Sequence, residues 1–264
     1  MKLVDIDRGN EGTFFRCLHD EKPADPRVMA MRRDWYDKNI GNGLRAKLLY
    51  DDNDDVVGLC QYIPIEYSML VGQNLMAIQC MWVHGYSHLV GNQQKKGYGR
   101  FMLEQIEADA IESGFDGIAA WGMDFPYWNP VSFYEHMGYL RIEVDSPVVL
   151  VWKPFADSAR PPSLLKQQKP LPEGIDKVNL VAFRNGWCNG CNSALTCRDA
   201  IKGIEEMVNY SEIDTSDKAV KEKFGVDIQV YLDGSPYRPF EPPWTAEALR
   251  DNIVELYNSK KIDD

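Results

Sequence analysis

The sequence predicts an α/β (α+β) protein: a mixed central sheet flanked by helices, followed by a second, smaller α/β unit. Three observations predict it. Apolar runs of strand length alternate with helical stretches between residues 44 and 152. The segment PFADSARPPSLLKQQKPLPEG, Pro154 to Gly174, carries five prolines and almost no periodic apolar pattern. Strand and helix patterns then resume. The 264 residues thus divide into a first domain at 1–154, a Pro-rich linker at 155–174 and a second domain at 175–264, each domain long enough to bury its own core.

Taken in order, Leu44 to Tyr50 and Val56 to Ile65 read as two strands joined by the acidic turn Asp51-Asp52-Asn53-Asp54-Asp55. Met76 to His84 is largely apolar and reads as a central strand. Gly99 to Ser113 is an amphipathic helix, with Met102, Leu103, Ile106 and Ala110 on one face and Glu104, Gln105, Glu107 and Asp109 on the other. Gly114 stands where a C-terminal cap belongs. Gly117 to Gly122 is a short strand, Asn129 to Met137 a short helix, and Tyr139 to Val144 and Val148 to Trp152 two closing strands. In the second domain Val178 to Phe183, Tyr210 to Asp214 and Ile228 to Leu232 read as strands. A helix with Ala194, Leu195, Ile201 and Ile204 among its apolar positions lies between the first two, and a final helix is capped by Thr245. Asp233-Gly234 is a hairpin turn signal.

Lys plus Arg number 29 against 40 Asp plus Glu, a formal net charge of −11, and the acid excess holds on both sides of the Pro-rich segment. That long-range field repels a phosphate backbone and argues against nucleic acid as a partner. Local backbone donors can still hold a small anion. Six cysteines are too few for a disulfide framework at this length. MKLVDIDRGNEG lacks a signal-peptide core and no apolar run is long enough to span a bilayer. The expectation is a soluble, cytoplasmic chain with mostly reduced thiols and no membrane partner.

Between the central strand and the long helix lies Gln94-Lys95-Lys96-Gly97-Tyr98-Gly99-Arg100. A strand, a glycine-bearing loop and a helix N-terminus make an anion site: glycine permits the tight turn, N–H groups point outward, and the helix dipole favours negative charge. By itself the pattern also fits an ordinary turn. Downstream stands Asn129-Pro130-Val131-Ser132-Phe133-Tyr134-Glu135-His136-Met137-Gly138-Tyr139. The loop resembles the Q/R-x-x-G-x-G/A pyrophosphate loop of the GNAT family of acetyl-CoA-dependent N-acetyltransferases. The downstream segment resembles that family's N-x-x-A-x-x-L-Y-x-x-x-G-F stretch, with one or two residues fewer between Asn and Tyr. The resemblance spans the first strand to about Trp152.

That resemblance implies splayed central strands admitting the pantetheine arm, whose amides would pair with the backbone of Met81, Trp82 and Val83. It implies acetyl-CoA pyrophosphate on the loop of Gln94, Lys95, Lys96, Gly97, Tyr98, Gly99 and Arg100. Asn129 would line the thiol arm and Tyr134 would protonate the departing thiolate; a packed core tyrosine is the alternative. The implied partner is a small-molecule or peptide amine. Direct attack by the amine needs a base or a water relay. Several relatives carry a Glu on the central strand, but Met76 to Val83 has no carboxylate and Gln79 is its only amide or charged side chain. Glu66, His84 and Asp124 are the candidates, each with an equally good structural reading as a solvated side chain, a loop residue or a cap. Trp121, Phe125, Tyr127 and Trp128, with Asp124 among them, could wall a site for a cationic or aromatic amine, or simply pack.

After the linker comes Arg184-Asn185-Gly186-Trp187-Cys188-Asn189-Gly190-Cys191. This strand–Trp-Cys-x-x-Cys–helix arrangement resembles the thioredoxin fold and, behind a GNAT domain, the acetyltransferases bearing a YoaP-type C-terminal module. A thiol at a helix N-terminus has its thiolate stabilised, which makes Cys188 the nucleophile and Cys191 the resolving thiol. The proline that thioredoxins place before the third strand is not evident in Phe224-Gly225-Val226-Asp227-Ile228. Cys197, six residues after Cys191, is turned away by a regular helix. Without a histidine in this domain a closed zinc site lacks a fourth ligand. Dithiol redox or sensing by Cys188 and Cys191, soft-metal binding by two or three of the thiolates of Cys188, Cys191 and Cys197, and an inert remnant all stay open. If the Cys188/Cys191 pair is the functional centre, the whole chain is a thiol redox or soft-metal-sensing protein with the first domain as a binding platform.

Overall fold

The computed structural model describes residues 1–18, 25–126, 129–145, 147–166, 168–170, 174–188, 193–225, 228–237 and 245–261. The chain divides into two compact units, Met1–Leu164 and Leu165–Asp264. No described helix is long and apolar enough to cross a membrane.

The first unit runs β1 (Lys2–Asp5), α1 (Glu11–Arg16), α2 (Pro26–Ile40), β2 (Arg45–Tyr50), β3 (Val56–Pro64), β4 (Leu70–Val71), β5 (Leu75–Val83), α3 (Tyr98–Glu112), β6 (Gly117–Met123), α4 (Val131–His136), β7 (Leu140–Asp145), β8 (Val148–Pro154) and β9 (Ser163–Leu164). Seven strands form one mixed sheet in the order β1-β2-β3-β5-β6-β8-β7. Only β5 and β6 run parallel; every other neighbour pair in this sheet is antiparallel. The central strands bury both faces, as their continuous apolar runs require. On one face Met102, Leu103, Ile106 and Ala110 of α3 pack with Tyr62, Met76, Ile78, Ile118, Tyr134 and Val151. On the other, Phe14 and Phe15 of α1 pack with Ala46, Leu48 and Leu59.

Several elements escape a pattern reading, β1, α1, α2 and the two-residue strands β4 and β9 among them. β1, α1 and α2 are short of apolar positions: in α2 the buried residues are Arg32, Trp35 and Asn39, so polar side chains occupy the face that periodicity would look for. The start of α2 does carry a local signal, since Asp25 accepts from the Arg27 N–H at 2.8 Å and Pro26 sits at the first helical position. The Pro-rich segment also differs from a plain linker. Ser163 and Leu164 pair with Val71 and Leu70, and the Leu164 N–H donates to Glu143 at 2.8 Å. An apolar residue finding an apolar partner orders the first part of that stretch into the first unit.

The second unit runs β10 (Val178–Arg184), α5 (Ala194–Ala200), β11 (Val208–Asp214), α6 (Lys218–Phe224), β12 (Gln229–Leu232), β13 (Ser235–Tyr237) and α7 (Ala246–Lys260). Its sheet has the order β11-β10-β12-β13, with β10 parallel to β11 and antiparallel to β12. Asp233 and Gly234, both at positive φ, turn β12 into β13. Thr245 accepts from the Ala248 N–H at 3.1 Å and starts α7. Leu249 and Ile253 bury its stripe against Val178, Leu180 and Ala182.

One glycine sets the seat of α4. A Cβ on Gly122 would meet the Val131 Cα at 2.8 Å and its N at 3.0 Å, both backbone atoms that cannot rotate away. Gly122→Val should therefore lift α4 off β6 and destabilise the first unit by about 1–3 kcal/mol. Urea unfolding followed by tryptophan fluorescence checks this; an unchanged midpoint would show that α4 is not held by that approach.

Candidate active site

The site begins where a ladder stops. β5 and β6 pair from Leu75↔Gly117 to Ile78↔Ala120 and no further. A bulge lies at the same level on the other side of β5: Gln61 of β3 is opposite Cys80 and Tyr62 opposite Ile78, leaving Gln79 as the inserted residue. A bulge bends its strand and increases its twist, so β5 turns away from β6 beyond Gln79. Burial follows the split: Leu75 to Gln79 are buried, Cys80 to Val83 half-buried.

The two edges of the split are treated differently. On the β6 side the Trp121 indole donates to the Gln79 carbonyl at 3.0 Å, spanning the gap at its first step. Asn129 then covers the rest: its side-chain N–H donates to the Trp121 carbonyl at 2.7 Å and its carbonyl accepts from the Met123 N–H at 2.8 Å. Asn129 does this at a φ of 44°, a left-handed conformation that asparagine tolerates. On the β5 side Met81, Trp82 and Val83 pair with β3 through one edge, while no described strand pairs with the other. That leaves an open strand edge facing the cleft.

Tyr134 of α4 stands against this junction. Its side chain is 1% exposed and its hydroxyl donates to Asn129 Oδ1 at 3.3 Å. Burial, with the Cys80 thiol nearby as a smaller contribution, raises its pKa well above the usual phenol value, so the hydroxyl keeps its proton. Asn129 is thus oriented from both sides, its amide N–H on Trp121 and its Oδ1 on Tyr134.

The loop before α3 provides the second half of the geometry. Lys95 and Gly97 adopt φ of 63° and 86°, and the first helical hydrogen bond runs from the Phe101 N–H to the Gly97 carbonyl at 3.0 Å. No side chain caps this end, so the Tyr98, Gly99 and Arg100 N–H groups are directed outward from the positive end of a 15-residue helix. Gly99 lies under the Phe133 ring, with 3.4 Å from an added Cβ to Phe133 Cε2. Gln94 is folded over Gly85, where a Cβ would run into its side-chain amide. Lys96 donates to Gln93 Oε1 at 2.8 Å, and Lys95 and Arg100 are exposed. The loop residues are therefore together at one helix end, with backbone rather than lysine forming its centre.

The three base candidates are engaged elsewhere. Glu66 is exposed in a turn after β3 and accepts from the Asn74 N–H at 3.4 Å. His84 is buried with Nδ1 3.1 Å from the Leu18 carbonyl and Nε2 2.8 Å from the His88 carbonyl. Asp124 is exposed and paired with Arg141, 3.3 Å from Nη1, and the same guanidinium reaches Glu135 at 2.9 Å. Of the aromatic run, Trp121 is the buried bridge described above, while Tyr127 and Trp128 lie outside the described residues. Two polar residues that pattern reading passes over lie at the bulge. Gln79 is 2% exposed with neither side-chain atom hydrogen-bonded, and Arg32 is 1% exposed with its Nε unpartnered. The signal available in the sequence is the lone amide in an otherwise apolar strand.

In the second unit Cys188 is half-buried four residues after the end of β10, next to buried Trp187, whose backbone N–H donates to Asn185 Oδ1 at 3.0 Å. Cys191 lies outside the described residues. Cys197 is in α5, 0% exposed and packed on Val178 and Leu180, and burial pushes its thiol up to about 12. Cys60 of β3 is also pushed up by burial to about 12. Among the described residues no group of three or more His, Cys, Asp or Glu is placed to hold a metal ion.

Comparison with known proteins gives fold-level likenesses. An acetyltransferase of the GNAT family from Staphylococcus aureus Mu50 superposes with a TM-score of 0.42 at 14% identity, covering 58% of this chain and 98% of that one. Spermidine N-acetyltransferase from Vibrio cholerae, in complex with CoA and spermine, superposes with a TM-score of 0.43 at 17% identity, covering 58% and 94%. No family model matches the chain, and no curated protein matches it in sequence.

Thiol chemistry separates the cysteines. A thiol at about 12 is almost wholly protonated near neutral pH, and only the thiolate is nucleophilic. In the native protein at pH 7.5, iodoacetamide should modify Cys188 at least about 100-fold faster than Cys60 or Cys197. Peptide mapping by mass spectrometry measures this; comparable rates would mean that the burial of the two core thiols does not protect them.

Proposed function

We propose that the chain is an acetyl-CoA-dependent N-acetyltransferase acting on a primary amine. The observation that carries this is the coincidence of two features on one side of the sheet: a split between parallel β5 and β6, and an uncapped helix N-terminus following β5. An extended amide-bearing arm fits the open edge of Met81 to Val83 by adding to the sheet. A pyrophosphate fits the outward N–H groups of Tyr98, Gly99 and Arg100, with Gln94, Lys95, Lys96 and Gly97 around it.

Acetyl-CoA supplies a thioester whose carbonyl carbon accepts the amine. As the N–C bond forms and the C–S bond breaks, the amine gives up a proton and the thiolate needs one. Tyr134 is the proton donor in this reading: its buried hydroxyl stays protonated and is aimed by Asn129. Glu66, His84 and Asp124 are engaged away from the split, so the amine proton leaves through water at the half-buried end of β5.

We further infer that residues 175–264 form a thioredoxin-like module of the YoaP type with Cys188 as its reactive thiol, the linker comprising 155–174. The parallel β10–α5–β11 unit followed by the antiparallel β12–β13 hairpin and α7 supports this. With Cys197 held in the core, soft-metal capture would rest on Cys188 and Cys191 alone.

Two measurements test the transfer reading. Isothermal titration should show acetyl-CoA binding that weakens about tenfold or more in Gly97→Val, because valine is strained at φ 86° and the N–H cradle is lost. Undiminished binding would remove the loop from the cofactor site. Tyr134→Phe should lower kcat by about 100-fold while leaving the acetyl-CoA Kd within twofold. An unchanged kcat would take Tyr134 out of the acid role.

A further inference from the structure

Resting on the transferase reading, we infer that Arg32 and Gln79 form the acceptor subsite and that the acceptor is a small amine carrying a carboxylate, such as an amino acid. Arg32 projects from α2 into the core and is 1% exposed. One face of its guanidinium lies over Phe14, 4.2 Å from the ring centroid. Its Nη2 donates to Gln61 Oε1 at 3.1 Å, and its Nε has no partner. No described carboxylate pairs with it, although 40 acidic residues are available in the chain. A guanidinium has five donors in a planar fork. Burying that charge with Gln61 as its one acceptor among the described residues leaves most of its desolvation uncompensated.

Gln61 connects this charge to the reacting end of the cleft. It is the β3 residue opposite the bulge, and in a bulge two residues of one strand oppose one of the other. Those two are Gln79 and Cys80. Gln79 adds two N–H donors and a carbonyl acceptor, all buried and unpartnered. It is also the first β5 residue beyond the last pair with β6, at the closed end of the split. Exposure rises from Cys80 onward, so this polar group forms the floor of the cleft rather than an isolated core defect.

The chemistry selects the ligand. A carboxylate accepts paired N–H bonds from a guanidinium and further donation from an amide, which satisfies the groups left over here. An amine on the adjacent carbon then lies near the split, with Gln79 Oε1 available to accept one of its N–H bonds. A polyamine brings more positive charge towards a buried cation and is disfavoured. A phosphate-bearing amine shares the anionic chemistry and forms a separate arm of the test.

Initial rates of CoA release are measured with acetyl-CoA and matched acceptors: L-alanine, L-alaninamide, aminoethyl phosphate and spermidine, extended to the other amino acids. The expected kcat/KM for amino acids exceeds that for their amides and for spermidine by about 10- to 100-fold, the scale of losing a charged hydrogen bond. Aminoethyl phosphate turning over faster than every amino acid would overturn the carboxylate assignment. Arg32→Lys should raise the acceptor KM with little change in the acetyl-CoA KM. Gln79→Met, close in volume, gives a second variant should Arg32 prove necessary for folding, and should likewise raise the acceptor KM. Amides and amino acids turned over equally, with acetyl transfer intact, overturn this inference alone. Absence of turnover with every amine overturns the transferase reading, and the subsite falls with it.

Discussion

Parallel hydrogen bonding between β5 and β6 stops after Ile78↔Ala120, and the arrangement around the cleft follows from that stop. A parallel pair inside a sheet normally continues as far as its strands do, because buried backbone groups left without partners are costly. Here the bulge at Gln79 turns β5 aside, and released groups on both strands are satisfied by substitutes at the start of the split. The Trp121 indole reaches back to Gln79, and Asn129 takes over the hydrogen bonds at Trp121 and Met123. Beyond Gln79, no described strand pairs with that edge of β5. An asymmetric split of this kind is a slot with one finished wall and one wall able to accept a strand-like ligand.

The same device organises the neighbouring chemistry. Asn129 can cover β6 only because α4 approaches it closely, and that approach depends on Gly122 having no Cβ. Tyr134, one turn along α4, is thereby brought against Asn129 and into the core. Burial keeps its proton in place, so packing and protonation state have one cause. At the other end of the slot the positive end of α3 lies in an acidic chain. Its uncapped N–H groups are fixed dipoles that act at short range, where the long-range repulsion of a net charge of −11 is screened.

The second unit divides its thiols by the same principle. Cys197 faces inward from α5 and burial withholds its thiolate, whereas Cys188, in the segment that follows β10, is half-buried. The Asn185 and Thr215 side chains tie the chain beyond β10 to the end of β11, with Thr215 Oγ1 donating to the Arg184 carbonyl at 3.0 Å.

What was legible in the sequence was local. Apolar runs marked β2, β3, β5, β6 and β8, a 3.6-residue stripe marked α3, and Thr245 and Asp233-Gly234 marked a cap and a hairpin, since each signal is confined to a few neighbouring residues. The loop of Gln94 to Arg100 and the Asn129…Tyr134 spacing were visible for the same reason. α1 and α2 were not, because α2 buries an arginine and an asparagine that a hydrophobicity pattern counts as surface. The sequence alone therefore determined the strands, the main helix and the loop at its start. Tertiary structure alone decided where β5 leaves β6, that Gln79 is the bulged residue, and that Arg32 meets Gln61. Those depend on register and on contacts between residues 29 positions apart, and no periodicity within either segment encodes which partner the other supplies.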